Sequence, residues 1–309
     1  MNRLPIVAET GFSLAELMIT TAILLIVSGI AVKGLMQATS SQMTIWNRTE
    51  MHSGVRSATE LLQQEVGQAG RVAFPGTPTI TGAVATGIQT VNVSSASGMF
   101  VNENVVVGAG ATAETVTLTA VNTAGNSITA TFVFAHPAGS PIAAYGGFAS
   151  GIAPTNMANG SSGTVLKMYG DINSDGKMLY VEYTCDTTNH FLYRNSMPWN
   201  AASKPAVTSA QILLENIQPN PGGTPCFTYL EQTVTSAAPV NTNTYVTNVA
   251  ITLTAQTGNV DPITRQYQME TKALLNVAPR NVFNVWELVS QNSLTRFQRM
   301  PASIANLLP

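Results

Sequence analysis

The fold is decided by residues 11–33, GFSLAELMITTAILLIVSGIAVK. Between residues 12 and 32 the only charged side chain is that of Glu16. As an α-helix rising about 1.5 Å per residue, this segment extends about 31 Å, which matches the hydrocarbon thickness of a bilayer. The sequence therefore predicts a transmembrane helix with one carboxylate near its N-terminal end. An ionisable group at that depth costs roughly 2.5–3.5 kcal/mol on insertion scales, which favours a functional role for Glu16.

The start of this helix resembles the processing site of type IV prepilins and of the pseudopilins of type II secretion. The shared residues are Gly11, Phe12 and Glu16, followed by an unbroken apolar run. The resemblance implies cleavage between Gly11 and Phe12 by a membrane prepilin peptidase, which also N-methylates the new amine of Phe12. It further implies that Glu16 pairs with the terminal amine of a neighbouring subunit, and a buried carboxylate is tolerable when such a cation meets it.

Two simpler interpretations of the N-terminal segment fit it less well. A secretory signal peptide would place a small-residue cleavage site after the apolar run, and the sequence has none there. A plain signal anchor would not need Glu16. The leader, residues 1–11, departs from the family because the charges of Arg3 and Glu9 cancel, whereas such leaders are usually basic. The predicted orientation therefore relies on Arg3 and the N-terminal amine.

The composition suits an exported, assembling protein. Of the 309 residues only 10% are charged, and the net charge is −2. Since no basic run occurs, we expect no nucleic-acid partner. Both cysteines, Cys185 and Cys226, fall in the exported part, so we expect a disulfide between them, with two free buried thiols as the alternative. A zinc site is disfavoured because the three histidines lack ligand spacing.

An apolar stripe extends the helical pattern well beyond the transmembrane segment. It predicts one helix over residues 12–70, transmembrane over residues 12–33 and packed on a domain in its second half. The helix should end near Gly70. The stripe consists of Met51, Val55, Ala58, Leu62, Val66 and Ala69.

The rest of the chain predicts antiparallel β structure, which makes the fold class α+β. Residues 77–148 predict a small all-β insert, and residues 164–280 an antiparallel sheet domain of pilin type. The C-terminal extension, residues 281–309, predicts either a short amphipathic helix over residues 282–297 or a partly ordered terminus. We expect strands over residues 89–93, 114–121, 127–134, 164–169, 178–184, 191–194, 211–217, 226–230, 245–255 and 266–277.

A second, narrower resemblance comes from the β region. Residues 192–194, Leu-Tyr-Arg, and Asn281 after Pro279-Arg280 resemble the larger minor pilins and pseudopilins of the PilW and GspJ kind. The resemblance implies a minor pilin or pseudopilin.

Residues 171–182, DINSDGKMLYVE, satisfy the calcium-loop pattern D-x-[DN]-x-[DN]-G-x5-E. Ca²⁺ prefers oxygen ligands, which the side chains of Asp171, Asn173, Asp175 and Glu182 and the carbonyl of Lys177 would provide. The flanking residues alternate like strands, however, and the same residue types make a β-hairpin turn without metal. Calcium binding and a bare turn both stay open here, and no cofactor is required.

We expect no enzyme, because the three histidines share no local motif with a nucleophile. The expected function is that of a structural subunit, a minor pilin or pseudopilin, held in the bacterial inner membrane with its C-terminal domain in the periplasm. The expected partners are other pilin subunits, the prepilin peptidase and methylase, and the inner membrane. A pilus-borne adhesive or ligand-binding module, using the insert or the calcium loop, is the alternative.

Overall fold

The fold class is α+β: an apolar N-terminal helix precedes a series of antiparallel sheets. The computed structural model describes Gly11 and residues 13–71, 73–148, 151–234, 243–291, 297–298 and 300–309. The chain divides into two compact units, one of residues 1–51 with 257–268 and one of residues 52–256 with 269–309. The helices are α1 (Leu14–Gln68), α2 (Arg280–Ser290) and α3 (Ala302–Leu307).

Helix α1 runs without a break through both of its predicted halves. Among the described residues it is the one helix long and apolar enough to cross a membrane. Its glycines at positions 29, 34 and 54 do not interrupt it. In its second half, and just beyond its end, all six residues of the predicted apolar stripe are at most 8% exposed. The 3.6-residue periodicity therefore identified the buried face correctly.

The first unit combines the start of α1 with a hairpin tip, residues 257–268. The carboxylate of Asp261 accepts hydrogen bonds from the backbone N–H groups of Ile263 and Thr264, both at 2.8 Å. Arg48 of α1 donates to the side-chain oxygen of Gln268. Asp261 thus shapes the turn, and Arg48 holds it against the helix.

Two antiparallel sheets follow in the second unit. One has the strand order β11-β10-β9-β8, and in the other β14 pairs with β12, β13 and β15. The predicted single strand over residues 211–217 is wrong, because Asn216 adopts a left-handed conformation (φ 60°) and divides it between the two sheets. The strands are β8 (Val165–Gly170), β9 (Leu179–Asp186), β10 (Phe191–Pro198), β11 (Ile212–Glu215), β12 (Ile217–Gln218), β13 (Phe227–Val234), β14 (Asn243–Gln256) and β15 (Met269–Val277).

The predicted insert contains two three-stranded antiparallel sheets, ordered β1-β5-β4 and β3-β2-β6. Both contribute to one apolar core, which includes Val91, Val105, Val116 and Ile128. The expected single strand over residues 114–121 is also wrong, since it divides between the sheets around a fully buried Leu118. The strands are β1 (Gly87–Asn92), β2 (Asn104–Val107), β3 (Glu114–Thr117), β4 (Ala120–Asn122), β5 (Ser127–Phe132) and β6 (Ile142–Ala144).

The C-terminal extension supplies the expected amphipathic helix and two elements that were not predicted. In α2, Val282 and Val285 are buried, and the helix packs against β14. The helix ends at Ser290, so the predicted extent to residue 297 was too long. Of the other apolar residues assigned to the predicted helix, Trp286 and Val289 lie within α2, and Leu294 lies outside the described residues. The additional elements are α3 and β16 (Phe297–Gln298), which pairs in parallel with β7 (Gly147–Phe148).

Candidate functional site

The predicted processing segment lies at the very start of α1. Gly11 is exposed just before the helix, and Phe12 lies outside the described residues. The hydroxyl of Ser13 accepts a hydrogen bond from the Glu16 N–H at 3.2 Å, and the Glu16 carboxylate accepts one from the Ser13 N–H at 3.0 Å. This reciprocal pair is a capping box, which satisfies two backbone donors that the helix itself leaves unpaired.

The capping box gives Glu16 a structural role that the sequence analysis missed, although the spacing Ser-x-x-Glu is its known signature. Only one carboxylate oxygen, Oε2, is engaged, and within the described part of the chain Oε1 has no hydrogen-bond partner. The carboxylate also faces the positive end of the helix dipole, which favours its charged form. Glu16 can therefore cap its own helix and still accept a cation through Oε1.

The apolar side chains around the first half of α1 project outward on all sides. Between Leu14 and Met36, the exposed large apolar residues have 54–78% of their surface accessible. A helix that is apolar all round requires lipid or neighbouring apolar helices. This segment is chemically suited both to a membrane and to a bundle of similar helices.

The second half of α1 is joined to the sheet by a buried carboxylate. Glu65 accepts hydrogen bonds from the hydroxyl of Tyr183 at 2.6 Å and from Arg194 Nη2 at 2.5 Å. Tyr183 lies on β9 and Arg194 on β10. Burial, together with the adjacent Glu65, raises the pKa of Tyr183, so its hydroxyl stays a donor. This network fixes how α1 lies across the strands.

The predicted calcium loop is held together by its own backbone. The carboxylate of Asp171 accepts the N–H groups of Asp175 and Gly176, both at 3.0 Å, and the Asp175 carboxylate accepts the Lys177 N–H at 2.9 Å. Asn173 and Lys177 are exposed. These are the contacts of an Asx-type turn.

Glu182, the last predicted calcium ligand, lies on β9 and has other partners. Its carboxylate accepts hydrogen bonds from Tyr180 Oη at 2.9 Å and from Lys204 Nζ at 2.6 Å. In the described ranges, no group of three or more His, Cys, Asp or Glu side chains is placed to hold a metal ion. The contacts favour the turn over the metal site.

The predicted disulfide between Cys185 and Cys226 is present, with the two Cα atoms 6.5 Å apart. Cys185 lies on β9, and Cys226 directly precedes β13. The bond therefore links the two sheets of the second unit.

A cleft of about 590 Å³ opens where α1 ends, and the sequence analysis did not find it. Three separate segments contribute to it, so no local motif marks it. Its lining is mostly carboxamide, carboxylate and guanidinium groups. The lining residues are Glu60, Gln63, Gln64, Gly67, Gln68, Arg71, Ala73, Phe74, Asp171, Ser174, Arg280 and Asn281.

Comparison with known proteins adds no relative. The chain matches no protein-family model, and no curated protein or solved structure is detectably similar to it. A functional argument therefore depends on the chain's own residues.

Proposed function

We propose that this protein is a structural subunit of a type IV pilus or of a type II secretion pseudopilus. It is a minor pilin or pseudopilin, anchored in the bacterial inner membrane by the first half of α1, with the folded part in the periplasm. Prepilin peptidase removes the leader between Gly11 and Phe12. The subunit then leaves the bilayer and packs its apolar helix among those of other subunits.

The observation that carries the proposal is the combination of Glu16 with the exposed apolar surface of α1. Transfer of this apolar surface from lipid to a helical bundle costs little free energy, because both surroundings are apolar. The carboxylate, by contrast, gains a cation only in the bundle, where the terminal amine of another subunit can reach Oε1. A buried charge without such a partner is strongly unfavourable, so Glu16 selects the assembled arrangement.

The helix cap needs a hydrogen-bond acceptor at residue 16, and the ion pair needs a negative charge there. Two variants separate these two roles. Glu16→Gln keeps the capping box, since glutamine also serves at this position, but removes the charge. Ser13→Ala removes the cap, at about 0.5–2 kcal/mol of helix stability, but keeps the charge. We expect Glu16→Gln to be processed and inserted normally and to enter filaments at least about tenfold less, which corresponds to losing about 1.4 kcal/mol. Ser13→Ala should still assemble.

The measurements are the subunit content of sheared filaments and mass spectrometry of the membrane-bound protein. The expected mature protein begins at an N-methylated Phe12, and Gly11→Ala should leave the leader attached. Normal assembly of Glu16→Gln would refute the role given to the charge. A native terminus at Met1 would refute the proposal as a whole.

A further inference from the structure

The cleft at the end of α1 combines several polar groups that both donate and accept hydrogen bonds. Gln63 and Gln64 project from α1 and are exposed, and Ser174 adds a hydroxyl from the turn after β8. Asn281 donates to the carbonyls of Gln68 and Gly70 at 3.4 Å. Its position at the cleft is thus fixed by the last turn of α1. Carboxamides and hydroxyls of this kind match ligands that also carry donors and acceptors side by side.

Gln68, one of the residues that line the cleft, carries an acceptor without a partner in the described part of the chain. The side-chain oxygen of Gln68, Oε1, is inaccessible to solvent and has no hydrogen-bond partner among the described residues. A buried acceptor without a donor is unfavourable and is rare in native structures. Because this oxygen is inaccessible to solvent, a ligand hydroxyl can supply the missing donor only after the Gln68 side chain rotates toward the cleft.

The charges of the cleft nearly cancel. Arg71 is ion-paired with the fully buried Glu103, and Glu60 is paired with Arg56 at 2.7 Å. The other two charged lining residues are Asp171 and Arg280, one of each sign. A phosphate or other strong anion would meet carboxylates in this cleft, and a cation would meet Arg280. An uncharged polar ligand avoids both conflicts.

Two of the lining residues, Ala73 and Phe74, have wholly apolar side chains. A lipid tail or an apolar peptide side chain would leave most of the polar lining unsatisfied. The volume of about 590 Å³ falls within the range of roughly 300–1,000 Å³ that is usual for sites of small organic ligands. Size and polarity together indicate a small molecule that carries many hydroxyl groups.

We propose that this cleft binds a short, uncharged oligosaccharide, whose hydroxyls pair with the carboxamides of Gln63, Gln64 and Gln68 and with Asp171. The inference goes beyond the assembly role and does not depend on it, because the cleft is formed within a single chain. It gives the protein a second activity, recognition of a glycan.

Gly67 provides a way to block the cleft without disturbing its polar groups. It lies in α1, and a Cβ atom added there meets no atom within 4 Å. Gly67→Gln should therefore place a long side chain in the cleft, and it should not weaken the helix because glutamine is a better helix former than glycine. Gly82→Gln is the matched control, since its Cβ is equally unobstructed and it lies outside the cleft lining.

The test uses the full-length chain in a detergent with a polyoxyethylene head group, because sugar detergents would compete for the site. An array of uncharged and acidic oligosaccharides identifies a bound glycan, and titration of that glycan by calorimetry gives its affinity. We expect saturable binding of an uncharged oligosaccharide, weakened at least about tenfold by Gly67→Gln and unchanged by Gly82→Gln. Both variants should keep the melting temperature of the natural chain. Gln64→Ala, which removes an exposed cleft residue, should weaken binding as well.

Three results would overturn the inference. They are the absence of binding above a detergent blank, binding of acidic glycans alone, and equal affinity in the natural chain and Gly67→Gln. Processing and filament entry of Gly67→Gln are measured in parallel and should be normal. A failure of glycan binding is thereby distinguished from a failure of assembly.

Discussion

Glu65 is the residue on which the attachment of α1 to the sheet depends. Its side chain is 5% exposed, and its charge is matched by Arg194, which is itself 23% exposed. Within this network the cost of desolvating the carboxylate is offset only while both the guanidinium and the Tyr183 hydroxyl remain in place. The ion pair thus fixes a geometry more than it adds stability, since a well-packed apolar pair would be as stable.

Arg194→Met is expected to destabilise the protein by about 3–5 kcal/mol, because it leaves the Glu65 carboxylate buried without its cation. Chemical denaturation followed by circular dichroism measures this difference. The matched control is Arg56→Met, whose exposed partner Glu60 lies one turn away, and it should change stability by less than about 1 kcal/mol. Adding Glu65→Leu to Arg194→Met should recover most of the loss. Equal effects of the two single variants would contradict the assigned role of Glu65.

Helix α3 contributes to a core cluster of the second unit. Its Ile304 and Leu307 are fully buried in a cluster with Tyr169, Met178 and Tyr180. The carbonyl that follows it, that of Leu308, accepts hydrogen bonds from Lys167 Nζ and, at 3.5 Å, from Lys204 Nζ. Two cations therefore meet the negative end of a very short helix, where they are stabilising.

Leu307→Ala should destabilise the protein by about 2–5 kcal/mol, through lost burial and the cavity left behind. Asn306→Ala is the control, because Asn306 is an exposed residue of the same helix. Thermal unfolding of the two variants gives the comparison. A similar melting temperature for both would mean that α3 contributes little to the core.

At the element scale, the sequence predicted the features that have a long or strongly periodic pattern. The burial of Leu62 and Val66 followed from a stripe sustained over five turns. Helix α3 escaped prediction because its six residues are too few to show a period. The strand that divides at Leu118 keeps its alternation across the break, so only the pairing partners reveal that division.

The candidate sites also differ in how much of each could be predicted from the sequence. Glu16 was found because it is the only charged residue between positions 12 and 32, whereas its hydrogen bonds with Ser13 were missed. The cleft was not found because Gln68, Asp171 and Arg280 are brought together only by the tertiary structure. The spacing of the calcium pattern was matched, yet Glu182 lies on a strand with Lys204 as its partner. A spacing rule derived from one backbone geometry does not transfer to another.

At the scale of the whole molecule, the disulfide is the covalent link between the two main sheets. Cys185 and Cys226 are separated by 41 positions in the sequence. Closing a loop of this length in the unfolded chain corresponds to a stabilisation of up to roughly 4 kcal/mol in the chain-entropy model. The Phe227 N–H donates to the carbonyl of Gly163 at 3.0 Å and the Tyr229 hydroxyl to that of Val165 at 3.1 Å, so the sheets should not separate when the disulfide is absent.

The double variant Cys185→Ser and Cys226→Ser should therefore fold with a lower melting temperature, and a reducing agent should reproduce the effect in the natural chain. The double variant itself should be insensitive to the reducing agent, which provides the control. Calorimetry measures both transitions. An unchanged melting temperature would contradict the stabilisation assigned to the disulfide.

The carboxamide of Gln298 has a consequence for any attempt to separate the insert from the rest. It accepts the N–H of Asn104 at 3.0 Å and donates to the carbonyls of Asn104 and Tyr145 at 2.5 and 2.8 Å. The Gln298 side chain thus bridges the two segments of the insert at the end of the β2–β6 pair. The insert therefore cannot be removed without affecting the C-terminal residues. Excising residues 77–148 would remove the hydrogen-bond partners of Gln298, whereas Gln298→Leu would remove the same hydrogen bonds and leave the insert in place.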